Sequence, residues 1–308
     1  MHEFSVEGQH VVVVGAARSG VAAAELLVSR GARVALSDGR DTFDEADRLL
    51  AAGVALDLGG HSERVFASAD LIVLSPGVPA DLPIVEAARR RGVPVMGELE
   101  LAWRWLKGRV IAITGTKGKS TTTTLTGRML QAAGLPAVVG GNIGSALSAQ
   151  VDASTPDTLH VVEVSSFQLE TSDTFHPWIA VLMNFSADHL DRHGTLEAYG
   201  SAKARIFAHQ TPADWAVVNA DDEAAADLAR GGQAARFDFS RRGAIDEGVV
   251  VDAGAVVKRT KTGSETLMPL SSIRLIGPHL VDDVLAAAAV GSLVGVPADA
   301  MRRAIEEF

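Results

Sequence analysis

The stretch from Val110 to Thr124 reads V-I-A-I-T-G-T-K-G-K-S-T-T-T-T, an apolar run that breaks into glycines and then into a helix start. A parallel α/β sheet accommodates such a stretch best. Val110 to Ile113 suits a strand buried on both faces. Gly115 and Gly118 let the backbone turn with its amides inward, and a helix opening near Lys119 aims its positive end into the turn. The arrangement reads as a phosphate cradle, in which Lys119 would reach the outer phosphates and the Ser120 hydroxyl would ligate magnesium. The usual nucleotide loop carries a glycine five residues before its Gly-Lys pair, where this chain has Ile113, so the loop is a shortened variant. An ordinary strand-to-helix turn is the other reading of these residues.

Composition limits what such a loop can serve. The 308 residues, 47% hydrophobic, suffice for a large core split over two domains. No apolar run is long enough to span a bilayer, and the opening M-H-E-F-S-V-E-G lacks the profile of a signal peptide, so a cytoplasmic location is expected. With no cysteine, any metal must use oxygen or imidazole ligands. A formal charge of -10 argues against a nucleic-acid or anionic-membrane partner. An anionic substrate would instead be drawn by local amides, a few basic side chains and bound cations.

The first hundred residues form an α/β unit of their own. His10 to Val14 is a continuous apolar strand, followed by G-A-A-R-S-G (Gly15 to Gly20) and a helix over Val21 to Arg30, a Rossmann-like opening. The second strand, Arg33 to Ser37, ends at Asp38, where such units place an acid against a ribose or base. Ala17 stands where the dinucleotide fingerprint wants its middle glycine, so a nicotinamide oxidoreductase is one reading and a plain glycine-rich turn another. Helices are expected over Asp41 to Ala52, Asp81 to Arg91 and Glu98 to Leu106, with strands at Leu71 to Leu74 and Val93 to Met96. The turn S-P-G-V-P (Ser75 to Pro79) falls at the carboxyl end of a strand, the ligand edge of a parallel sheet. This domain closes near Lys107 and Gly108.

Beyond the phosphate loop and its helix, Lys119 to Ala133, comes a glycine-rich loop, V-V-G-G-N-I-G (Val138 to Gly144), carrying Asn142. The strand Leu159 to Val164 holds Glu163 inside an apolar run, where an unpaired charge costs several kcal/mol, so a cation partner or a proton is expected there. Magnesium at Ser120 would serve, and so would an arginine. Another strand, Ile179 to Asn184, runs into F-S-A-D-H-L-D-R-H-G, with Asp188, His189, Asp191 and His193 close together, which suggests a metal or phosphate contact. A helix over Leu196 to His209 places Lys203 one turn from Tyr199. Val281 to Leu293 and Ala298 to Glu307 read as closing helices.

Taken together, T-G-T-K-G-K-S-T, G-G-N-I-G, E-V-S-S-F-Q-L-E, D-H-L-D-R-H-G and the Y-x-x-x-K helix, in this order and spacing, resemble the Mur ligases of peptidoglycan synthesis. S-S-F-Q-L-E with a Rossmann-like first domain is similar to the member that adds D-glutamate to UDP-N-acetylmuramoyl-L-alanine. The resemblance implies a Rossmann-like UDP-substrate-binding domain over residues 1–108 and a central P-loop-type ATP-binding α/β domain over 109–308. It implies that Gly115, Thr116, Lys117, Gly118, Lys119, Ser120 and Thr121 hold ATP, with a weak addition from Asp283. Ser120 and Glu163 would share one magnesium ion. His189 and a carbamylated Lys203 would hold a second. Lys119, Lys203 and His189 would be the catalytic set. Ser19, Gly20, Asp38, Ser75, Pro76 and Gly77 would bind the uridine diphosphate, and Asn142, Ser165, Gln168 and His189 the rest of the sugar nucleotide. Carbamylation needs a neutral amine, which an ordinary lysine of pKa ~10.4 supplies at neutral pH only at a cost of roughly 4 to 5 kcal/mol.

The implied reaction is phosphoryl transfer from ATP to the substrate carboxylate, then attack of the D-glutamate amine on the acyl phosphate, by a monomer. Two departures stand out. Lys117 replaces the family's asparagine, and Leu280 and Asp283 replace the asparagines of the segment Ile276 to Ala289. The family continues into a third, amino-acid-binding domain, so the chain reads as a two-domain fragment with little turnover of its own. A folate polyglutamylating ligase and a non-catalytic nucleotide-sugar-binding protein are the alternatives.

Overall fold

The computed structural model describes residues 4–243, 245–274 and 277–308. They form two compact units. The first comprises Met1–Lys107 with two later stretches, Ser145–Ser154 and Phe167–Phe175, and the second comprises Gly108–Gly144, Thr155–Ser166 and His176–Phe308.

In the first unit five parallel strands, β1 (His10–Val14), β2 (Arg33–Asp38), β3 (Ala55–Leu58), β4 (Leu71–Leu74) and β5 (Val95–Gly97), lie in the order β3-β2-β1-β4-β5. Chain order reverses at β1, so the crevice beyond the carboxyl ends of β1 and β4 is the switch point where such sheets take ligands. Every residue from Val11 to Val14 is buried, because helices cover both faces. Val11 and Val13 pack with Leu27 and Leu36, while Val12 and Val14 pack with Phe66 and Val85.

The second unit has a six-stranded parallel sheet of β6 (Arg109–Thr114), β7 (Ala137–Gly141), β8 (Leu159–Glu163), β9 (Ile179–Leu182), β10 (Trp215–Val218) and β11 (Ala235–Arg236), in the order β11-β10-β9-β6-β8-β7. A four-stranded sheet follows, β12 (Asp238–Ser240), β13 (Gly248–Asp252), β14 (Ala255–Thr260) and β15 (Gly263–Pro269), antiparallel except between β12 and β13. The helix Pro278–Val294 packs against the helix Lys119–Ala132 and both sheets, and its run Val284 to Val290 is fully buried. Its sequence, V-L-A-A-A-A-V, is apolar all round, as a helix enclosed by protein must be.

The expected elements differ from the observed ones in several places. The expected helix Asp41 to Ala52 forms only over Ala46–Ala51, since Asp41, Thr42 and Asp44 bond readily to nearby backbone and favour turns over a helix interior. The loop Val138 to Gly144 is half strand, because Ala137–Gly141 pairs with β8 at the sheet edge. The helix from Leu196 ends at Ala204 and tightens into a 3-10 turn, Arg205–Phe207. Helix Pro278–Val294 covers the segment with the asparagine replacements, whose first residue, Ile276, lies outside the described residues.

Candidate active site

Strand β6 is central, flanked by β8 and β9, so the loop after it opens where the side chains beyond three strand ends converge. Gly115 and Gly118 have φ of +154° and +82°, and the latter caps the helix Lys119–Ala132 in the left-handed region. Both turns also need the missing side chain. A Cβ on Gly115 would stand 2.8 Å from Met183 Cβ, and one on Gly118 would stand 2.1 Å from Asp283 Oδ1. The helix start has no side-chain cap, which leaves its positive end for an anion.

Asn184, just past β9, braces the loop. Its Oδ1 accepts from the amides of Thr116 (3.1 Å) and Lys117 (2.8 Å), and its Nδ2 donates to the Lys117 carbonyl (3.0 Å). The Thr116 hydroxyl donates to the Ser186 carbonyl and lies 3.4 Å from the Tyr199 hydroxyl. The Lys117 side chain is exposed.

Two lysines meet at one carbonyl. Lys119 Nζ donates to the oxygens of Gly115 (3.0 Å) and Thr116 (2.9 Å), and Lys203 Nζ donates to the same Gly115 oxygen (2.8 Å). Lys203 is 1% exposed, with its ammonium 4.7 Å from the Tyr199 ring centre. Burial, reinforced by Lys119, pulls its pKa down to about 7 against the opposing pull of Asp188. Burial also lowers that of Lys119, opposed by Glu163 and Asp188.

Glu163 ends β8 and is 1% exposed. Its Oε2 accepts from Ser120 Oγ at 2.6 Å and its Oε1 from Asn142 Nδ2 at 2.7 Å, so its hydrogen bonds come from neutral donors rather than an arginine. Asn142 is fixed in turn by its amide on the Glu163 carbonyl (2.9 Å), an approach that Gly141 permits because a Cβ there would stand 2.4 Å from that oxygen. Ser120 and Glu163 thus present adjacent hard oxygen donors beside a helix start, a set that suits magnesium completed by phosphate oxygens and water. Among the described residues no group of three or more His, Asp or Glu side chains is gathered as a metal site.

His189 adopts φ of 51°, a left-handed conformation uncommon for a side chain with a Cβ. Its ring is half exposed and stands edge-on to Tyr199 at 6.2 Å, which places it on the same tyrosine as Lys203. His193 Nε2 lies 2.9 Å from Ser166 Oγ, next to Ser165. Asp283, 2% exposed, packs its carboxyl against Gly118. Burial pushes its pKa up to about 7, opposed by the Thr122 hydroxyl and aided by Asp282.

In the first unit, Gly15 (φ 97°) and Gly20 build the β1 turn. A Cβ on Gly20 would stand 1.8 Å from the Gly15 carbonyl oxygen, so the helix Arg18–Ser29 docks only with glycine there. Asp38 Oδ2 accepts the Ala16 amide at 2.6 Å, while Oδ1 takes the Arg40 amide (2.8 Å) and Nε (3.0 Å). Burial raises its pKa, but the Arg40 side chain and the two amides outweigh this and bring it to about 2. Asp38 therefore braces the turn as a carboxylate. Ser75 is buried at the end of β4, its Cβ 2.9 Å from where a Gly15 Cβ would stand, Pro76 and Gly77 grow more exposed after it, and Ser19 is half-buried. Gln168 lies in the stretch that packs with this unit. Sequence reasoning passed over Asn184 and Arg40. Both were marked by position, as polar residues just past a strand's carboxyl end beside a glycine loop.

Residues 113–291 match the model of the Mur ligase middle domain, and residues 9–97 match the Mur ligase MurD-like N-terminal domain. A UDP-N-acetylmuramoylalanine--D-glutamate ligase of Acidobacterium capsulatum is 46% identical over 308 residues, covering 98% of this chain and 67% of the relative. One from Koribacter versatilis is 43% identical over 306 residues, covering 98% and 68%. The chain thus spans about two thirds of the length of these relatives. Among solved structures, UDP-N-acetylmuramate:L-alanyl-gamma-D-glutamyl-meso-diaminopimelate ligase from Neisseria meningitides is similar in fold, with a TM-score of 0.67 at 20% identity and 98% of each chain covered. Two family models that between them take in the phosphate loop, Glu163, Lys203 and the Asp38 turn lead to one conclusion: this chain belongs to the Mur ligase family.

Proposed function

We propose that the chain binds UDP-N-acetylmuramoyl-L-alanine and ATP as part of a ligase that joins D-glutamate to the sugar nucleotide through an acyl phosphate, in peptidoglycan synthesis. In this reading residues 1–108 hold the uridine diphosphate, Asn142, Ser165, Gln168 and His189 hold the rest of the sugar nucleotide, and residues 109–308 also hold the ATP, in a cytoplasmic monomer. The names of the relatives at 43 and 46% identity support the substrates. The observation that carries the reading is the meeting of Lys119 and Lys203 on Gly115, in the same unit as the Ser120–Glu163 pair.

The work of this site is charge handling by prepared groups. Loop amides and the helix start receive the phosphates, and Lys119 exchanges two carbonyls for the phosphoryl group in transit. Ser120 and Glu163 would hold magnesium, which would neutralise charge on the phosphates. Lys203 supplies a modified anion. With its pKa near 7, about half of it is neutral amine at neutral pH, so the cost of roughly 4 to 5 kcal/mol carried by an ordinary lysine all but vanishes. The amine nitrogen attacks the carbon of CO2 and releases a proton, and the resulting carbamate faces Lys119 as an opposite charge. His189, on the same tyrosine, would join that carbamate in holding a second cation.

Calorimetric titration with UDP-N-acetylmuramoyl-L-alanine and, separately, with a non-hydrolysable ATP analogue and magnesium tests the reading. Both are expected to bind, and Lys119→Ala is expected to weaken only the nucleotide, by at least about ten-fold. A wild-type chain that takes neither, or prefers a folate to the sugar nucleotide, defeats it.

A further inference from the structure

The helix Glu98–Trp103 carries a carboxylate that the chemistry above leaves unused. Glu100 is fully buried, yet its pKa is held below the ordinary range. Burial pushes it up, and the Thr174 hydroxyl, the amides of Asp173 and Thr174 and the charge of Arg104 together prevail. Its Oε2 accepts from the amides of Asp173 (2.9 Å), Thr174 (2.9 Å) and Phe175 (3.1 Å), and its Oε1 from Thr174 Oγ1 (2.6 Å) and Arg104 Nε (2.7 Å). Three successive amides on one carboxylate oxygen fix the turn they belong to.

That turn ends the stretch Phe167–Phe175, which leaves the second unit of the chain and packs with the first. Further bonds tie the stretch to itself and to the same helix. Gly97 donates its amide to the Thr171 carbonyl (3.1 Å), and a Cβ on Gly97 would stand 2.2 Å from Thr171 Oγ1. Thr171 Oγ1 donates to the Gln168 carbonyl (3.3 Å), Ser172 Oγ donates to the Leu169 carbonyl (2.8 Å), and Trp103 meets Phe175 edge-on at 5.9 Å. Gln168 is therefore tied through a short, internally hydrogen-bonded piece of chain whose far end rests on Glu100.

We infer that Glu100 is a positioning residue for the sugar-nucleotide substrate: its carboxylate sets the 173–175 turn, and through it the place of Gln168. This rests on the functional reading above, in which Gln168 touches that substrate. Charge is essential, because an amide in the same place turns its NH2 group toward donors and leaves buried bonds unmade. Glu98, two residues earlier, is the natural contrast. It is equally buried, burial raises its pKa, and its Oε1 takes a single amide, that of Ser148, at 2.7 Å, a bond that an amide oxygen reproduces.

The test measures two affinities in the whole chain, for UDP-N-acetylmuramoyl-L-alanine and for the magnesium–ATP analogue. Glu100→Gln is expected to weaken the sugar nucleotide on the order of ten-fold and the nucleotide less than about two-fold, with Glu98→Gln changing neither. Thr174→Val removes one of the five bonds and is expected to act in the same direction by about two- to five-fold, which keeps the test available if Glu100→Gln folds poorly. Faster hydrogen exchange at residues 168–175 accompanies the loss. Unchanged sugar-nucleotide affinity in both Glu100→Gln and Thr174→Val overturns the inference, as does equal weakening of both ligands. A wild-type chain that does not bind the sugar nucleotide overturns the functional reading and this inference with it.

Discussion

Asp283→Asn should stabilise the protein in a pH-dependent way. The side chains have the same shape, and the asparagine oxygen can still face the Thr122 hydroxyl. What changes is the charge. The folded protein holds the Asp283 proton up to about pH 7, whereas the unfolded chain gives it up near 3.8. Between those values unfolding releases a proton, so the contribution of Asp283 to stability is fully present below 3.8 and is lost as pH rises through about 7. The gap corresponds to a ceiling of roughly 4 kcal/mol, and relaxation around the buried charge reduces this to about 1 to 3 kcal/mol. Urea unfolding of the wild type and Asp283→Asn is therefore expected to give similar stabilities near pH ~4 and a growing advantage for asparagine up to pH ~8, where it levels off. A difference that is independent of pH, or largest in acid, refutes the reasoning.

Lys203→Met should behave in the opposite sense. The folded pKa of about 7 lies below the ordinary 10.5, so the lysine's penalty is complete below 7 and fades toward 10.5, and the methionine variant gains stability at neutral pH but little in alkali, as thermal melts across pH will measure. The same variant should lack the carbamate signal that the proposed reading expects of the wild type with 13C-labelled bicarbonate in NMR. Gly118→Ala should cost at least about 2 kcal/mol and remove nucleotide binding, since it combines φ of +82° with a clash at 2.1 Å on Asp283, readable by urea unfolding and calorimetry. Ala253→Asn should stabilise by about 0.5 to 1 kcal/mol in a melt, because Ala253 (φ 45°) and Gly254 (φ 78°) form the two-residue turn between β13 and β14, for which Asn-Gly is preferred.

The strands at the centres of the two parallel sheets were legible because apolar runs such as V-V-V-V and V-I-A-I have one stable use, burial on both faces. The turn after β6 was legible because its glycines carry the positive φ that such a turn requires. The four-stranded sheet was not legible, although V-V-V-D-A-G-A-V-V-K announces a hairpin, because its next strand, G-S-E-T-L-M-P, is polar and mostly exposed. Glu163 was read as needing a cation or a proton, and the structure adds two neutral donors that sequence could not supply, because Ser120 and Asn142 are distant along the chain. The two stretches that pack with the first unit were equally hidden. Their anchors, Glu98 and Glu100, look in sequence like the solvent face of an amphipathic helix, and only tertiary structure reveals that both are buried.

The shared acceptor at Gly115 works as a balance. The Lys119 ammonium there loosens Lys203's hold on its proton, so a triphosphate that draws Lys119 toward itself would hand Lys203 a tighter grip on its own. If Lys203 is carbamylated as proposed, CO2 uptake should be quicker before the nucleotide arrives than after, and a protein already modified would greet ATP with an anion beside Lys119. On that reading, the order of addition follows from two lysines sharing one backbone oxygen.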